Sequence, residues 1–244
     1  MDNYINRIFN MDCIAGMSMY PDKSIDMILC DLPYGMTGCR WDSIIPFDLL
    51  WQQYCRIIKD NGAIVLTSCQ PFTTKLISSN TKMFKYCWYW YKNMVTAYAN
   101  AKRQPLRCVE DICVFYKHQP TYNPQGIIVL DKPILSRGQP GREDSVYKVN
   151  SLGKDTYTCI THYPRQVLEI KCQREGLHPT QKPVELFEYL IKTYTNPGEL
   201  VLDNCMGSGT TAIACIDSGR DFTGFEWDEK YYKTACRRIE EKRG

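Results

Sequence analysis

Two short stretches of this 244-residue chain combine residue types that do chemistry. The first is Asp31-Leu32-Pro33-Tyr34, which sets a carboxylate, a stiff turn and an aromatic ring within four positions. Such a set suits a planar base bearing an amino group, because the ring can stack on the base and the carboxylate can accept an N–H hydrogen bond. The plain alternative is a strand-ending turn. The second stretch is VLDNCMGSGTTA (201–212), where a strand pattern ends at Asp203, Gly207-Ser208-Gly209 form a tight turn and a helix pattern begins. A turn of this kind lets a ligand approach the backbone, and a helix N-terminus offers free N–H groups to a carboxylate or phosphate. Gly207, Gly209 and Ala212 also satisfy the GxGxxA dinucleotide fingerprint, with Glu226 at the end of the next strand placed to bind ribose hydroxyls. No Gly-Lys-Ser/Thr follows, so the stretch is not a P-loop.

Both stretches need a sheet to bring them together. IDMILCD (25–31) and AIVLTS (63–68) have the pattern of buried strands, and FDLLWQQYCRII (47–58) that of a helix with Leu49, Leu50, Tyr54 and Ile57 or Ile58 on one side. Asn61-Gly62 marks the turn between them. Later come KPVELFEYLIKTY (182–194, a helix with Pro183 in its first turn), the strand ELVLDN, the helix TTAIACIDSG ending at Gly219, the strand DFTGFE, and a closing helix from about 228 that Asp228 can cap. This alternation predicts an α/β fold with a mostly parallel, doubly wound sheet whose ligands bind at the carboxyl ends of the strands. A conventional dinucleotide domain opens on the glycine turn and needs further βα units after the acidic residue. Here only 18 residues follow Glu226, so the rest of the sheet comes earlier in the chain. That permuted order argues against a dehydrogenase.

The middle of the chain reads differently. FKYCWYWYK (84–92) and EDICVFYK (110–117) look like strands, whereas 118–165 is rich in Pro, Gly, Ser and Tyr without a sustained period. Residues 80–175 hold 15 Lys and Arg against 8 Asp and Glu, so the positive charge of a chain of net charge only +3 is concentrated there. Lys102, Arg103 and Arg107 are candidate phosphate contacts, with Tyr and Trp side chains able to stack on bases. The alternatives are a solvated basic face and a disordered insertion. With 44% apolar and 23% charged residues the composition is globular. No run approaches the roughly 18 apolar residues of a membrane span, and the start lacks the apolar stretch of a signal peptide, so a cytoplasmic protein is expected. None of the 13 cysteines is paired at the two-residue spacing of a zinc knuckle or redox motif; reduced thiols and no metal are expected.

Taken in order, these motifs resemble the β-type amino-group DNA methyltransferases, including members common in phages and prophages. In that family an (Asp/Asn/Ser)-Pro-Pro-(Tyr/Phe) motif comes first, a target-recognition insertion follows, and the glycine-rich cofactor motif lies near the end. This chain has DLPY (31–34), the basic middle and LDNCMGSGTT (202–211) in the same order, with HPTQKPVEL (178–186) before the last αβ units. WDSIIPF (41–47) and NAKRQPLRCVEDICVFYK (100–117) add to the likeness, which covers the chain outside about 118–165.

The resemblance implies a permuted Rossmann-like methyltransferase sheet with an inserted, loop-rich target-recognition region. It divides the chain into a catalytic half (1–92), the insertion (93–170) and a cofactor-binding half (171–244). It implies S-adenosyl-L-methionine as cofactor, double-stranded DNA as partner and either a monomer or a homodimer, in a bacterial host or phage-infected cell. Asp31, Leu32, Pro33 and Tyr34 would be catalytic: Asp31 and the Leu32 carbonyl accept hydrogen bonds from the target amino group, and Tyr34 stacks on a base flipped from the duplex. Asp203, Gly207, Ser208 and Gly209 would line the methionine part of the cofactor, Glu226 would hold its ribose and Asp12 would lie near its adenine. Thr180 and Lys182 would lie at its amino-acid end, with Thr210 and Thr211 at the helix start; the plain reading of Lys182 is a surface lysine before Pro183. Leu32 stands where proline is usual, Asn204-Cys205 where Pro-Phe is frequent, and Met11 where glycine precedes Asp12 in the family. Aspartate in the first motif points to the N6 amino group of adenine, with the N4 of cytosine and a catalytically silent DNA binder as alternatives. Methylation at cytosine carbon-5 is disfavoured, since no Pro-Cys dipeptide is present.

Overall fold

The computed structural model describes residues 4–39, 42–136, 156–172 and 181–244. The apolar run Ile25–Asp31 forms strand β2, and its alternate side chains enter two different cores. Met27 and Leu29 pack on one face of the sheet, Ile28 and Cys30 on the other. Strands β3 (Ile58–Ser68) and β9 (Leu200–Asp203) flank β2 in parallel and alternate in the same way, as strands covered on both faces must. Strand β10 (Asp221–Phe225) and β1 (Arg7–Phe9) continue the parallel sheet beyond β9. Past β3 lie β5 (Arg107–Phe115), β4 (Phe84–Thr96) and β8 (Val167–Glu169), giving the order β1-β10-β9-β2-β3-β5-β4-β8. Only β5 runs against the others. The doubly wound, mostly parallel sheet read from the sequence is therefore present.

Helices α1 (Cys13–Met17), α2 (Phe47–Ile57) and α3 (Phe72–Ser79) contribute buried side chains to one core. Helices α4 (Val184–Tyr194), α5 (Thr210–Ser218) and α6 (Glu229–Arg243) contribute to the other. Helix α2 buries Leu50, Trp51, Tyr54 and Ile57, a helical stripe; Leu49, expected on the same side, stays 43% exposed because it lies one residue off that stripe. Gly219 closes α5 in the left-handed region, and the Asp228 carboxylate caps α6 by accepting from the N–H groups of Lys230 and Tyr231. Pro183 sits just before α4 as its N-cap rather than within its first turn. Asn61-Gly62 falls inside an irregularity of β3, where Gly62 passes so close to Asp26 O that a Cβ would lie 2.7 Å from it.

The chain forms two compact units, Met1–Asn123 with Gln166–Gly244, and Pro124–Arg165. The second unit holds the antiparallel pair β6 (Ile128–Ser136) and β7 (Thr156–Thr161), with Ile128, Val129, Ile134 and Leu135 exposed. The separate unit is thus narrower than the expected 93–170 insertion, because β5 and β8 complete the main sheet by pairing with β4. No helix of the described residues is long and apolar enough to cross a membrane.

Gly224 in β10 is needed for a close approach. A Cβ there would lie 2.3 Å from the carbonyl oxygen of Asp203 and 2.4 Å from the Met206 methyl. Gly224→Ala is expected to cost about 2–3 kcal/mol of stability, because backbone on one side cannot yield. Urea unfolding checks this; a loss below about 0.5 kcal/mol would mean that β9 and β10 separate freely.

Candidate active site

Strands β2 and β9 are direct neighbours, so the carboxylates at their ends, Asp31 and Asp203, open into one cleft. The cavity has a volume of about 1140 Å³. Asp12, Asp31, Leu32, Pro33 and Tyr34 line it, together with Lys182, Asp203, Gly207, Ser208, Thr210 and Glu226. Residues named from two distant stretches of sequence are thereby brought together.

At one end, Asp31 is held on every side. Thr67 lies opposite it on β3 and donates its hydroxyl to Oδ1; Tyr34 donates its hydroxyl to the same oxygen at 2.7 Å. Lys182 Nζ lies 2.6 Å from Oδ2. Tyr34 does not project as a free ring: its hydroxyl is tied to Asp31 and its ring centroid lies 5.0 Å from that of Phe72. Burial drives the Tyr34 hydroxyl well above its ordinary pKa, and the Asp31 charge adds to this, so it stays a donor. The loop after Tyr34 is tied down by the buried Asp42, whose carboxylate accepts from the N–H groups of Gly35, Met36 and Thr37. Leu49, displaced from the α2 stripe, lines the same cavity.

Lys182 is not a surface lysine. It is 6% exposed, and besides Asp31 it faces Glu110 Oε2 at 3.5 Å, while Lys92 Nζ meets Glu110 Oε1 at 2.7 Å. Burial opposes the Lys182 charge, but Asp31 and Glu110 outweigh it and hold the pKa above the ordinary lysine value. Glu110 is pushed up by burial, yet Lys182 and Lys92 bring it below the usual carboxylate range. A row of alternating charges, Asp31, Lys182, Glu110 and Lys92, therefore runs from β2 across to β4. Sequence reasoning missed Thr67, Glu110 and Lys92. The available signal was the register: Glu110 and Asp111 are consecutive in a strand and must point to opposite faces, and Asp111 does take the other side, accepting from Thr73.

At the other end, Glu226 Oε2 accepts from Gly207 N–H at 2.7 Å and Oε1 from Asp228 N–H at 2.8 Å. Burial raises its pKa. Gly207 has φ 54° and Gly209 φ 86°, the left-handed turn that glycine permits. Gly209 does not line the cavity; it faces Ala235 of α6, 3.1 Å from where a Cβ would stand. Asp203 is buried and accepts from the Thr211 hydroxyl and from Cys205 N–H. Asp12 lines the cavity while capping α1 through Ala15 N–H at 2.9 Å. Lys102 and Arg103 are exposed after the short turn that follows β4; Arg107 reaches Cys69 Sγ at 3.4 Å, and none of the three lines the cavity. Thr180 lies outside the described residues.

Cys13, Cys30 and Cys205, beside the cavity, are held protonated rather than poised as nucleophiles. A hydrogen bond to Cys13 lowers the Cys205 value, but Cys30, burial and Asp203 outweigh it and raise that thiol well above the ordinary range; burial pushes Cys30 up to about 12. All 13 cysteines are free, with only Cys39, Cys55 and Cys159 exposed. No cluster of potential metal ligands occurs among the described residues.

Burial pushes the Asp203 carboxyl up to about 6 against its hydrogen bonds. The unfolded chain, near 3.8, releases this proton first, so from roughly pH 4 to 6 the folded protein binds more protons and its stability falls as pH rises, by about 3 kcal/mol at most. Asp203→Asn is expected to flatten that fall in urea titrations at several pH values; an unchanged slope would show that Asp203 titrates normally.

Comparison with known proteins bears on this cleft. The chain is 28% identical over 260 residues to the type II methyltransferase M1.MboII of Moraxella bovis, covering 95% of each. It is 27% identical over 261 residues to the DNA adenine methyltransferase YhdJ of Escherichia coli, covering 98% of this chain and 84% of the relative. Among solved structures, the M1.HpyAVI–SAM complex superposes with a TM-score of 0.63 at 23% identity over 95% of this chain and 98% of that one. The cytosine-N4-specific PvuII DNA methyltransferase superposes with a TM-score of 0.67 at 15% identity over 95% and 85%. The sequence model of the N6/N4 methyltransferases, described as DNA methylase, matches residues 25–237 and so takes in both ends of the cleft. The chain belongs to the N6/N4 amino-group DNA methyltransferase family.

Proposed function

We propose that the protein methylates the N6 amino group of adenine in double-stranded DNA. The observation that carries this reading is the joining, in one cavity, of a triply held aspartate beside a Leu-Pro-Tyr turn and a glycine turn latched to a buried glutamate. S-adenosyl-L-methionine, the methyl donor, supplies a methyl group made electrophilic by its sulfonium. The donor set fits it. Glu226 suits two ribose hydroxyls, and Asp12, Lys182, Asp203, Gly207, Ser208 and Thr210 border the same space. Gly209 and Thr211 act indirectly, the first by shaping the turn and the second by holding Asp203. A volume of about 1140 Å³ leaves room for a nucleobase besides the donor.

The chemical problem is a nitrogen whose lone pair is delocalised into the ring. Asp31 and the Leu32 carbonyl accept its N–H bonds and hold it pyramidal, so the lone pair points out of the ring plane. Tyr34 packs beside the base while its hydroxyl keeps the Asp31 carboxylate fixed. A base inside a duplex cannot reach the cavity, so the target is flipped out, at a cost of a few kcal/mol that contacts to DNA offset. Lys102, Arg103 and Arg107 contribute phosphate contacts, and the Pro124–Arg165 unit contributes target recognition.

Purified protein is incubated with S-adenosylmethionine and DNA free of adenine methylation, and the DNA is digested to nucleosides for mass analysis. N6-methyladenine is the expected product. N4-methylcytosine would keep the mechanism and overturn the base, and donor binding without any methylated nucleoside would identify a silent binder.

A further inference from the structure

In the row of charges behind Asp31, one oxygen has an ion-pair partner but no hydrogen bond. Glu110 Oε1 is paired with Lys92, but the buried Oε2 accepts no hydrogen bond from the described residues and lies 3.5 Å from Lys182 Nζ. A buried carboxylate oxygen without a hydrogen bond is costly, and here the nearest donor is engaged 2.6 Å away on Asp31 Oδ2. Asp31 Oδ1 already accepts two hydroxyl hydrogens, from Thr67 and Tyr34, so an incoming N–H must use Oδ2. There it would meet the lysine ammonium. As the amino nitrogen gains a methyl group it becomes positive, and an ammonium on the same carboxylate oxygen would repel it.

Resting on the reading of Asp31 given above, we infer that Glu110 is a positioning residue: it receives the Lys182 ammonium from Asp31 when the target amino group arrives, leaving Asp31 Oδ2 to the N–H. The movement is short, a swing of Nζ between oxygens it already lies between, and Lys92 keeps Glu110 fixed while it happens. The net charge of the four groups does not change: Asp31 gives up its ammonium partner, keeps the Thr67 and Tyr34 hydroxyls and gains the N–H, and its negative charge then faces the nitrogen as that becomes positive.

The test compares wild type, Glu110→Gln, Lys182→Met and the double variant in the full chain, with tritiated methyl donor and bulk DNA. Donor affinity is measured separately by calorimetry. Glu110→Gln is expected to slow single-turnover methyl transfer at least tenfold with donor affinity within threefold of wild type. In the Lys182→Met background the same change is expected to alter the rate less than threefold, because there is no ammonium left to move. Effects that multiply would overturn the inference and make Glu110 a structural residue, as would a Glu110→Gln rate within threefold of wild type. Should Glu110→Gln fail to fold, Glu110→Asp keeps a charge beside Lys92 but withdraws it from Lys182; a wild-type rate there overturns the inference equally. Failure of the underlying reading looks different, since wild type itself would then transfer no methyl group to DNA.

Discussion

Asp31→Ala is expected to lower methyl transfer to DNA by about a thousandfold or more while donor affinity changes less than about tenfold. A positioned acceptor in a water-poor cleft commonly accounts for a factor of 10²–10³, on the order of 3–4 kcal/mol. Here the loss should reach the upper end, because no other carboxylate can take the place of Asp31: Glu110 is committed to Lys92 and Lys182, and Asp203 to Thr211 and Cys205. The substitution should leave the fold intact. Lys182 keeps Glu110 as a partner, and Thr67 and Tyr34 keep each other at 3.1 Å. Nucleoside mass analysis after digestion is the readout. Residual transfer within tenfold of the parent would remove Asp31 from the reaction and shift attention to backbone acceptors alone.

Excising 124–165 and joining 123 to 166 by a flexible Gly-Ser linker is expected to cut DNA methylation at least a hundredfold and leave donor affinity within about threefold. Every strand of the main sheet, including β4, β5 and β8, lies outside the excised residues, and so does every residue lining the cavity. What is removed is the β6–β7 ribbon with its exposed apolar side chains. Calorimetry with the donor and a filter assay with DNA separate the two effects. Lost donor binding in a protein that still unfolds cooperatively would contradict the division of labour between the two units.

Much of the sheet was legible because strands buried on both faces announce themselves. Ile25–Asp31 and Leu200–Asp203 are short apolar runs closed by an acid, and helices α5 and α6 carried their own stop and start residues, Gly219 and Asp228. Three-residue strands such as β1 and β8 have too few positions to show a period, and they exist through pairing with β10 and β4. The compact unit is narrower than 93–170, and composition does not reveal which side of a boundary a strand will pair on. Motif spacing named Asp31, Lys182 and Glu226 individually, and the cavity does join them. What it could not supply was partners: Thr67 meets Asp31 only through the β2–β3 register, and Glu110 meets Lys182 only because β5 and the start of α4 converge.

The distribution of thiols gives this chain a ready-made spectroscopic ruler. Cys39 stands on the loop behind Tyr34, Cys159 on β7 of the smaller unit and Cys55 on the outer side of α2, while Cys13 and Cys205 at the cavity are held protonated. Maleimide dyes at neutral pH should couple first to these three sites. With Cys55 replaced by serine, a donor–acceptor pair on Cys39 and Cys159 would report, molecule by molecule, whether the distance between the two labels changes when DNA is added.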